Sequence, residues 1–460
     1  MGLRVNFNAG TLGVLRNLSI NERLQNQAIE RLTTGLKINR ASDNPSGFML
    51  LSNLTSELKT ISQAVENTQR AINLVNTADA GVEQISEQLI NLKSLAVEAM
   101  NTGTQTSETI SALQFAMDSN IGAINRIAGT TRFSDTNLLN GQLSISVTNS
   151  NPQLSNFNIT SSDLADGSTV TINVSQSATR GSVSGNIAST QTNASTIKIN
   201  GPLGSVDINI AANSTRADVV ELINQNKDTT GVEATDAGQI RTTEVGSNKS
   251  VNLQFVSGAF SGPVAGLYSG TDVVAQVNGQ TTQNTGNVVK FQQPNLSGEV
   301  TINADTTGNF QFTINSGGAK FQIGSTPSQS NQVSIGIKNL SAFNLGATGG
   351  VGSLNSLVTG GANSLISNPV KALNIIDSAI NEVNTVRSQL GSIESRLLQT
   401  NTRNLGQAFD SISASRSSVG DSVLPEEVSN LLRSDLLKQV GIGTLRNLNL
   451  AQGSILNLLT

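Results

Sequence analysis

Apolar residues recur in steps of three and four along two long stretches of the chain, one towards each end. The first stretch follows Asn44-Pro45, where Asn can cap a helix and Pro suits the first helical position. The second stretch follows Asn368-Pro369, which repeats the same pair. These patterns predict long amphipathic helices that each pack along one seam. We expect the two seams to contain Leu58, Ile61, Val65, Ile72 and Leu89, and Ile380, Val383, Leu390, Ile393 and Leu397.

The first seam has two irregularities. Thr68 places a polar side chain at a position where the pattern calls for an apolar one. Between Ile72 and Ala78 two three-residue steps follow one another, which is the mark of a stammer that overwinds a coiled coil locally. A shorter helix is predicted next, with the apolar residues of 110–128 on one face.

Both ends of the chain are also apolar and amphipathic, in residues 1–40 and 428–460. Chain ends are usually polar and frayed, so these segments need something against which to bury a face. The last helix is expected to begin at Pro425, because the two Glu residues that follow suit the positive end of a helix. The expected contact positions are Leu18, Leu24, Leu32, Leu36, Leu432, Leu436, Leu445, Leu448, Ile455 and Leu458.

The middle of the chain, residues 143–364, alternates between apolar and polar side chains in short runs that turn residues separate. This alternation predicts half-buried strands, and a helical pattern interrupts it near 216–224. The clearest predicted strands are 144–147, 206–210, 251–255 and 310–314. The fold class is therefore α+β and multidomain, with long N- and C-terminal helices pairing as a coiled-coil core around an inserted β-rich region. Spacing alone does not distinguish a helical hairpin within one domain from a bundle between chains.

Composition narrows the range of functions. The chain has no Cys and no His, which removes the thiolate nucleophile, the commonest general base and the commonest metal ligand. We therefore expect no catalytic residues, no metal site and no cofactor. A net charge of -4 at pH 7 provides no basic surface for nucleic acid.

The N-terminal residues contain no apolar core before a small-residue cleavage site, and no apolar run reaches the length of a membrane span. We therefore expect no membrane insertion and no cleaved signal peptide. We therefore expect either a cytoplasmic protein or one that is exported by a route that leaves it uncleaved.

Three segments resemble the bacterial flagellin family. Residues 28–47, which read AIERLTTGLKINRASDNPSG, are similar to its N-terminal signature. Residues 131–141, TRFSDTNLLNG, resemble a hairpin motif of the family, and residues 389–397, QLGSIESRL, resemble a motif of its C-terminal helix. The end of the chain, ILNLLT, is similar to the family's usual ending. Within the middle, a module at about 196–256 resembles the flagellin IN module. A generic ββαβ insert would show a similar sequence pattern.

The resemblance implies a structural subunit of the flagellar filament that is secreted by the flagellar export apparatus and serves swimming motility. It implies that 1–44 and 425–460 form an inner tube and are disordered in the free monomer. Residues 45–142 with 365–424 would form a surrounding coiled-coil layer, and 143–364 would lie at the surface. The implied partners are other copies of the chain, the export apparatus and a chaperone, and the junction and cap proteins.

The chain departs from the family pattern in two places. The turn before the last helix keeps one acidic residue, Asp421, and adds Pro425. Asn91 and Ser94 replace an Arg and a Glu of a motif that an animal Toll-like receptor recognises, which weakens the expectation of recognition. The alternative function is a hook–filament junction protein, which shares the helical ends. A more distant one is a flagellin-like adhesin or enzyme whose active part lies in the middle.

Overall fold

The chain forms helices near both ends and strands between them, which confirms the α+β prediction. The structure is a computed structural model, and it divides into two compact units, Met1–Val65 with Arg403–Thr460, and Glu66–Thr402. The residues that it describes are 9–101, 106–162, 164–293, 295–315, 317–328, 331–347 and 352–459, with side chains described between 10 and 450.

Eight α-helices lie in the described ranges, together with a π-helical segment, Ile393–Leu398, and a 3-10 turn, Leu354–Leu357. The helices are α1 (Ala9–Thr34), α2 (Pro45–Ala99), α3 (Ser107–Thr130), α4 (Arg216–Gln225), α5 (Lys227–Thr230), α6 (Pro369–Ser392), α7 (Gln399–Gly420) and α8 (Leu424–Leu459).

Both predicted Asn-Pro helix starts are confirmed. Asn44 Oδ1 accepts a hydrogen bond from the backbone N–H of Gly47 at 3.0 Å, and Pro45 is the first residue of α2. Asn368 Oδ1 accepts one from the backbone N–H of Lys371 at 3.0 Å, and Pro369 begins α6. Each Asn therefore satisfies a backbone donor that has no partner inside the helix.

The strands occupy the middle of the chain, and every described pair of them is antiparallel. The first eleven are β1 (Arg132–Phe133), β2 (Thr136–Asn137), β3 (Val147–Thr148), β4 (Leu154–Ser162), β5 (Ser168–Gln176), β6 (Arg180–Ser182), β7 (Thr190–Gln191), β8 (Ser195–Asn200), β9 (Ser205–Ile210), β10 (Ser214–Thr215) and β11 (Val232–Ala234). The others are β12 (Ile240–Val245), β13 (Ser250–Ser257), β14 (Gly266–Ser269), β15 (Val274–Val277), β16 (Gln280–Thr281), β17 (Gln283–Thr285), β18 (Val288–Gln293), β19 (Leu296–Ile302), β20 (Gly308–Ile314), β21 (Ala319–Gln322) and β22 (Gln332–Ile335).

The strands form two larger sheets, with orders β16-β15-β5-β20-β3 and β17-β18-β19-β4-β22-β21. A separate module contains the four-stranded sheet β14-β13-β8-β9 and the three-stranded sheet β11-β12-β6, with α4 beside them. The small sheets β10-β7 and β1-β2 complete the set, and β1-β2 is the predicted hairpin at 131–141.

Glu66–Thr402 contains three apolar cores. The helical core joins the inner faces of α2, α3 and α6 to buried residues of 333–345 and 354–365. The second core lies between the two larger sheets and includes Val170, Phe291 and Phe312. The third fills the module and includes Ile197 and Val219.

The predicted strand at 144–147 is wrong over most of its length, because only Val147 joins a strand. Ser144 and Ile145 instead run beside two glycines: a Cβ on Gly317 would lie 2.6 Å from Ser144 O, and one on Gly336 would lie 2.9 Å from Ile145 Cγ1. This close packing buries Ile145 without a strand ladder. The alternation of apolar and polar residues therefore predicted the burial of Ile145 correctly, but it wrongly predicted strand hydrogen bonds for Ser144 and Ile145.

A charge network on the module surrounds Glu233 of β11. Its Oε1 accepts hydrogen bonds from Arg180 at 2.9 Å and from Arg241 at 3.0 Å, and its Oε2 accepts one from Lys227 at 2.7 Å. Burial by itself raises the pKa of Glu233, but the hydrogen bond and charge of Lys227, with those of Arg241 and Arg180, outweigh it. The pKa of Glu233 is therefore held below its ordinary value of 4.5.

We expect Glu233→Gln to lower the free energy of unfolding by about 1–3 kcal/mol at pH 7, because three charged donors lose their anionic acceptor. A lowered carboxylate pKa gives stability that is present above the unfolded pKa and is lost as pH falls through the folded one. The difference from the unsubstituted protein should therefore shrink below the ordinary Glu range, and urea titrations at several pH values measure it. The control Glu244→Gln removes an exposed ion pair with Lys249 and should cost less than about 1 kcal/mol at any pH.

Candidate assembly surface

Helices α1 and α8 pack side by side in opposite directions within the unit Met1–Val65 with Arg403–Thr460. Three polar contacts set their register. Arg31 bonds Glu427 at 3.0 Å, Gln25 bonds Asp435 at 3.2 Å, and Lys438 Nζ lies 3.4 Å from the Glu22 carboxylate. We call this helix pair the terminal hairpin.

The contact between α1 and α8 is unusually polar for a helix seam. Glu427 is 6% exposed and Ser434 is 4% exposed, and Asp435 and Lys438 are half-buried beside them. Arg31 Nε is buried without a hydrogen-bond partner. Paired charges of this kind fix a register but add little net stability, since their desolvation offsets their attraction. These charged pairs therefore fix how α1 and α8 align but contribute little to the stability of the terminal hairpin.

The exposed side of α8 carries a row of large apolar side chains among its polar residues. Val428, Leu432, Leu436 and Val440 follow one another at steps of four, so they form one stripe along the helix. Leu432 is 65% exposed and Leu436 is 61% exposed, whereas a soluble helix normally presents polar side chains on such a face. We call these four residues the open stripe.

Helix α1 also exposes large apolar side chains. Together with the open stripe, they leave the terminal hairpin with an extended apolar surface, and surfaces of this kind mark interaction sites. The exposed side chains on α1 are Leu12, Leu15, Ile20, Leu24 and Ile29.

The connection between α1 and α2 is tied to the start of α8. Leu36 pairs with Asp421, Lys37 N–H donates to Gly420 O at 2.7 Å, and Ser422 N–H donates to Gly35 O at 2.9 Å. Gly35 has a φ of 71°, which favours glycine at the end of a helix. The turn near Asp421, which departs from the family pattern, is thus hydrogen-bonded to the connection between α1 and α2.

Asp43 closes the same connection. Its Oδ2 accepts hydrogen bonds from the backbone N–H groups of Asn39 and Arg40, each at 3.0 Å. The Arg40 bond first and the Asn39 bond second hold the pKa of Asp43 below its ordinary value. The loop is therefore best ordered when this carboxylate is ionised.

The predicted seam residues fall into three groups. Buried residues pack inside this chain, and they are Ile61, Ile72, Leu89, Val383, Leu390 and Ile393. Half-buried residues are Leu18, Leu32, Leu36, Leu58, Val65, Ile380, Leu397, Leu445 and Leu448. Exposed residues are Leu24, Leu432 and Leu436. The side chains of Ile455 and Leu458 lie outside the described residues.

The sequence pattern did not reveal the polar part of the terminal hairpin. Glu427 was read as an acidic residue that suits a helix start, yet its side chain is buried against Arg31. The available signal was the spacing of four residues at steps of four, three and four, which places them on one side of α8. They are Glu427, Leu431, Ser434 and Lys438. Since three of these four are polar, hydrophobicity alone does not find them.

The described residues contain no group of three or more potential metal ligands among Asp and Glu. None of the described helices is both long enough and apolar enough to cross a membrane.

Three family profiles match the chain and together cover more than half of it. The bacterial flagellin N-terminal helical region matches residues 5–144. The bacterial flagellin C-terminal helical region matches residues 373–459, and the flagellin hook IN motif matches residues 193–245.

Curated relatives match along nearly the whole chain. A flagellin of Salmonella rubislaw is 25% identical, with 99% of each chain covered. Flagellin A of Helicobacter pylori is 24% identical over 100% of both chains. A flagellin of Escherichia coli is 32% identical, but over 31% of this chain and 29% of its own.

Solved structures of flagellar proteins are also similar at low scores. Flagellar hook associated protein-3 from Legionella pneumophila is 11% identical with a TM-score of 0.32, covering 80% of this chain and 98% of that one. The D2-D3 domains of a flagellar cap protein from Escherichia coli are 19% identical with a TM-score of 0.25, covering 38% of this chain and 100% of that one. The sequence matches at both ends and in the module, by contrast, agree with the helices and strands described above, and the chain belongs to the bacterial flagellin family.

Proposed function

We propose that this flagellin polymerises by burying the exposed apolar side chains of its terminal hairpin against other copies of the chain. The observation that carries the proposal is the contrast between the two sides of α8. The side packed on α1 combines leucines such as Leu445 with the polar residues Glu427 and Lys438, whereas the large apolar residues of the open stripe are left exposed. Among the described residues, a row of large apolar side chains is thus left uncovered.

The hydrophobic effect supplies the driving force. Burying one large aliphatic side chain contributes about 1.5–3 kcal/mol relative to leaving it exposed. The open stripe and the exposed side chains of α1 together offer several such contributions, which exceed the cost of ordering their side chains. These contacts join unlike surfaces with a rotation between copies that does not close a ring, so that copies add to an open helical assembly.

We extend the proposal to the arrangement of the chain in the filament. Residues 1–44 with 425–460 form the inner tube and become fully ordered only on assembly. Residues 45–142 with 365–424 form the layer around it, and 143–364 lie outermost. The buried seam residues of α2 and α6, such as Leu89 and Val383, hold that layer together within each copy.

The same surface would meet other flagellar components. Junction and cap proteins at the two ends of a filament would contact the faces that neighbouring copies cover elsewhere. A chaperone would shield the open stripe before the flagellar export apparatus delivers the chain outside the cell. The role is mechanical, and we propose no catalytic activity for it.

Thiol labelling tests the proposal on the intact chain. Because the sequence has no Cys, a single introduced thiol is the only reactive one. Leu436→Cys should react rapidly with a maleimide in the monomer and many-fold more slowly in the filament. Asn309→Cys, at an exposed position in β20, should react equally in both states. Equal labelling of Leu436→Cys in monomer and filament would show that the open stripe remains exposed and that the proposal is wrong.

A further inference from the structure

The π-helical segment Ile393–Leu398 lies between α6 and α7 and differs from the regular helices on either side. Gln399 N–H donates to Glu394 O, five residues back instead of four. The Gln399 side chain donates to the Glu394 carboxylate at 3.2 Å. π-Helical turns are rare, and each one contains a residue more than an α-helical turn.

The buried positions show where the extra residue is placed. Along α6 and into α7 the packed side chains are Val383, Val386, Leu390, Ile393, Leu398 and Asn401. The steps between them follow the three-four alternation of a heptad repeat, except for the five-residue step from Ile393 to Leu398. An uninterrupted α-helix would turn Leu398 and Asn401 about 100° away from the seam.

The facing helix has no matching irregularity. Along α2 the buried residues Thr68, Ala71, Val75, Ala78 and Val82 follow one another in alternating steps of three and four. The stammer predicted from Ile72 is therefore wrong, because Ala71 is fully buried and occupies the seam position before Val75. At this level of the helix pair the additional residue lies on the side of Ile393–Leu398 and has no counterpart in α2.

Polar contacts hold the pair on both sides of this level. Asn401 Nδ2 lies 3.3 Å from Thr68 Oγ1 and donates to Ile323 O at 2.8 Å. On the other side, Arg387 Nε lies 3.3 Å from the Asp79 carboxylate. These contacts fix the facing residues above and below, so the additional residue is accommodated between them. They also give the buried Thr68 its role in the seam.

We propose that Ile393–Leu398 contains one residue more than the repeat requires, a feature that we call the skip. At the skip the helix changes between π-helical and α-helical hydrogen bonding, while the polar contacts on both sides of it are kept. The segment is consequently the least protected part of the helix pair and the point at which the pair adjusts its register. This inference concerns the unassembled chain and does not depend on how copies of it polymerise.

Two single-residue deletions in the full-length monomer test the skip. Removing Ser395, an exposed residue of the π-helical segment, should leave a regular α-helix with every packed residue still on the seam. Its Tm should stay within a few degrees of that of the unaltered chain or rise. Removing Asn384, an exposed residue of regular α6, displaces the packed residues by about 100° and should lower the Tm by roughly 10 °C or more.

Amide hydrogen exchange tests the passage between the two bonding patterns. In the unaltered monomer, the amides of 397–400 should exchange faster than those of α6 two turns earlier. In the Ser395 deletion this difference should disappear. Equal losses of Tm for the two deletions, or failure of the Ser395 deletion to fold, would overturn the skip. Unchanged exchange after removal of Ser395 would overturn the proposed passage.

Discussion

The double substitution Leu432→Gln with Leu436→Gln is expected to raise the critical concentration for filament growth by roughly a hundredfold or more. Both side chains lie on the open stripe of α8 and are mostly exposed in the monomer. Each should lose about 1.5–3 kcal/mol of burial on assembly, and every 1.4 kcal/mol corresponds to a factor of ten. Gln retains a good helix propensity, so α8 itself should be unaffected. Sedimentation of polymer after addition of filament seeds measures the change.

The matched control is Asn430→Gln with Arg433→Gln, which alters two exposed polar residues of the same helix. It should change the critical concentration only slightly, because neither position belongs to the open stripe. Far-UV circular dichroism and thermal unfolding should be similar for both double variants as monomers. If the two pairs of substitutions reduce polymerisation equally, the loss comes from α8 in general and not from its apolar side.

The largest expected loss of monomer stability is at Leu89. Its side chain is fully buried in the helical core, and Leu89→Ala should lower the free energy of unfolding by about 2–5 kcal/mol through lost contacts and a cavity. The neighbouring Ile90 lies outside the buried seam of α2 and is 58% exposed. Ile90→Ala should therefore change the free energy of unfolding by less than about 0.5 kcal/mol.

Urea unfolding of the two monomeric variants separates these effects. A similar small loss for both would mean that the seam of α2 is loosely packed in the monomer. A similar large loss for both would mean that Ile90 is covered by a contact that the described structure does not contain.

The sequence predicted the helices better than it predicted what they contact. The Asn-Pro pairs before α2 and α6 located both starts, because capping depends only on local residues. The buried side of α2 could also be predicted, because apolar residues at steps of three and four all lie on one side of a helix. On α6, however, Ala379 is buried and Ile380 is half-buried, because a small residue permits closer approach of the facing helix.

The skip between α6 and α7 could not be recognised from the sequence. Leu397 and Leu398 are adjacent, so a step of four from Ile393 appears to continue the repeat at Leu397. In the structure Leu398 is fully buried and Leu397 only partly so. Which of two neighbouring leucines is packed depends on the facing helix, and this information is absent from the local pattern.

The candidate surface on the terminal hairpin was only partly predictable. The apolar character of both chain ends indicated that something must cover them. Which side of α8 is packed depends on the position of α1, since Leu445 and Leu432 have identical side chains but Leu445 is half-buried and Leu432 is exposed. Buried polar residues such as Glu427 were missed because a charge is normally read as exposed.

The most direct test of the central claim is electron cryomicroscopy of filaments grown from the full-length chain. We expect helical filaments in which Leu432, Leu436 and the exposed leucines of α1 lie in contacts between copies, around the filament axis. Filaments in which these side chains face solvent while other surfaces join the copies would contradict it.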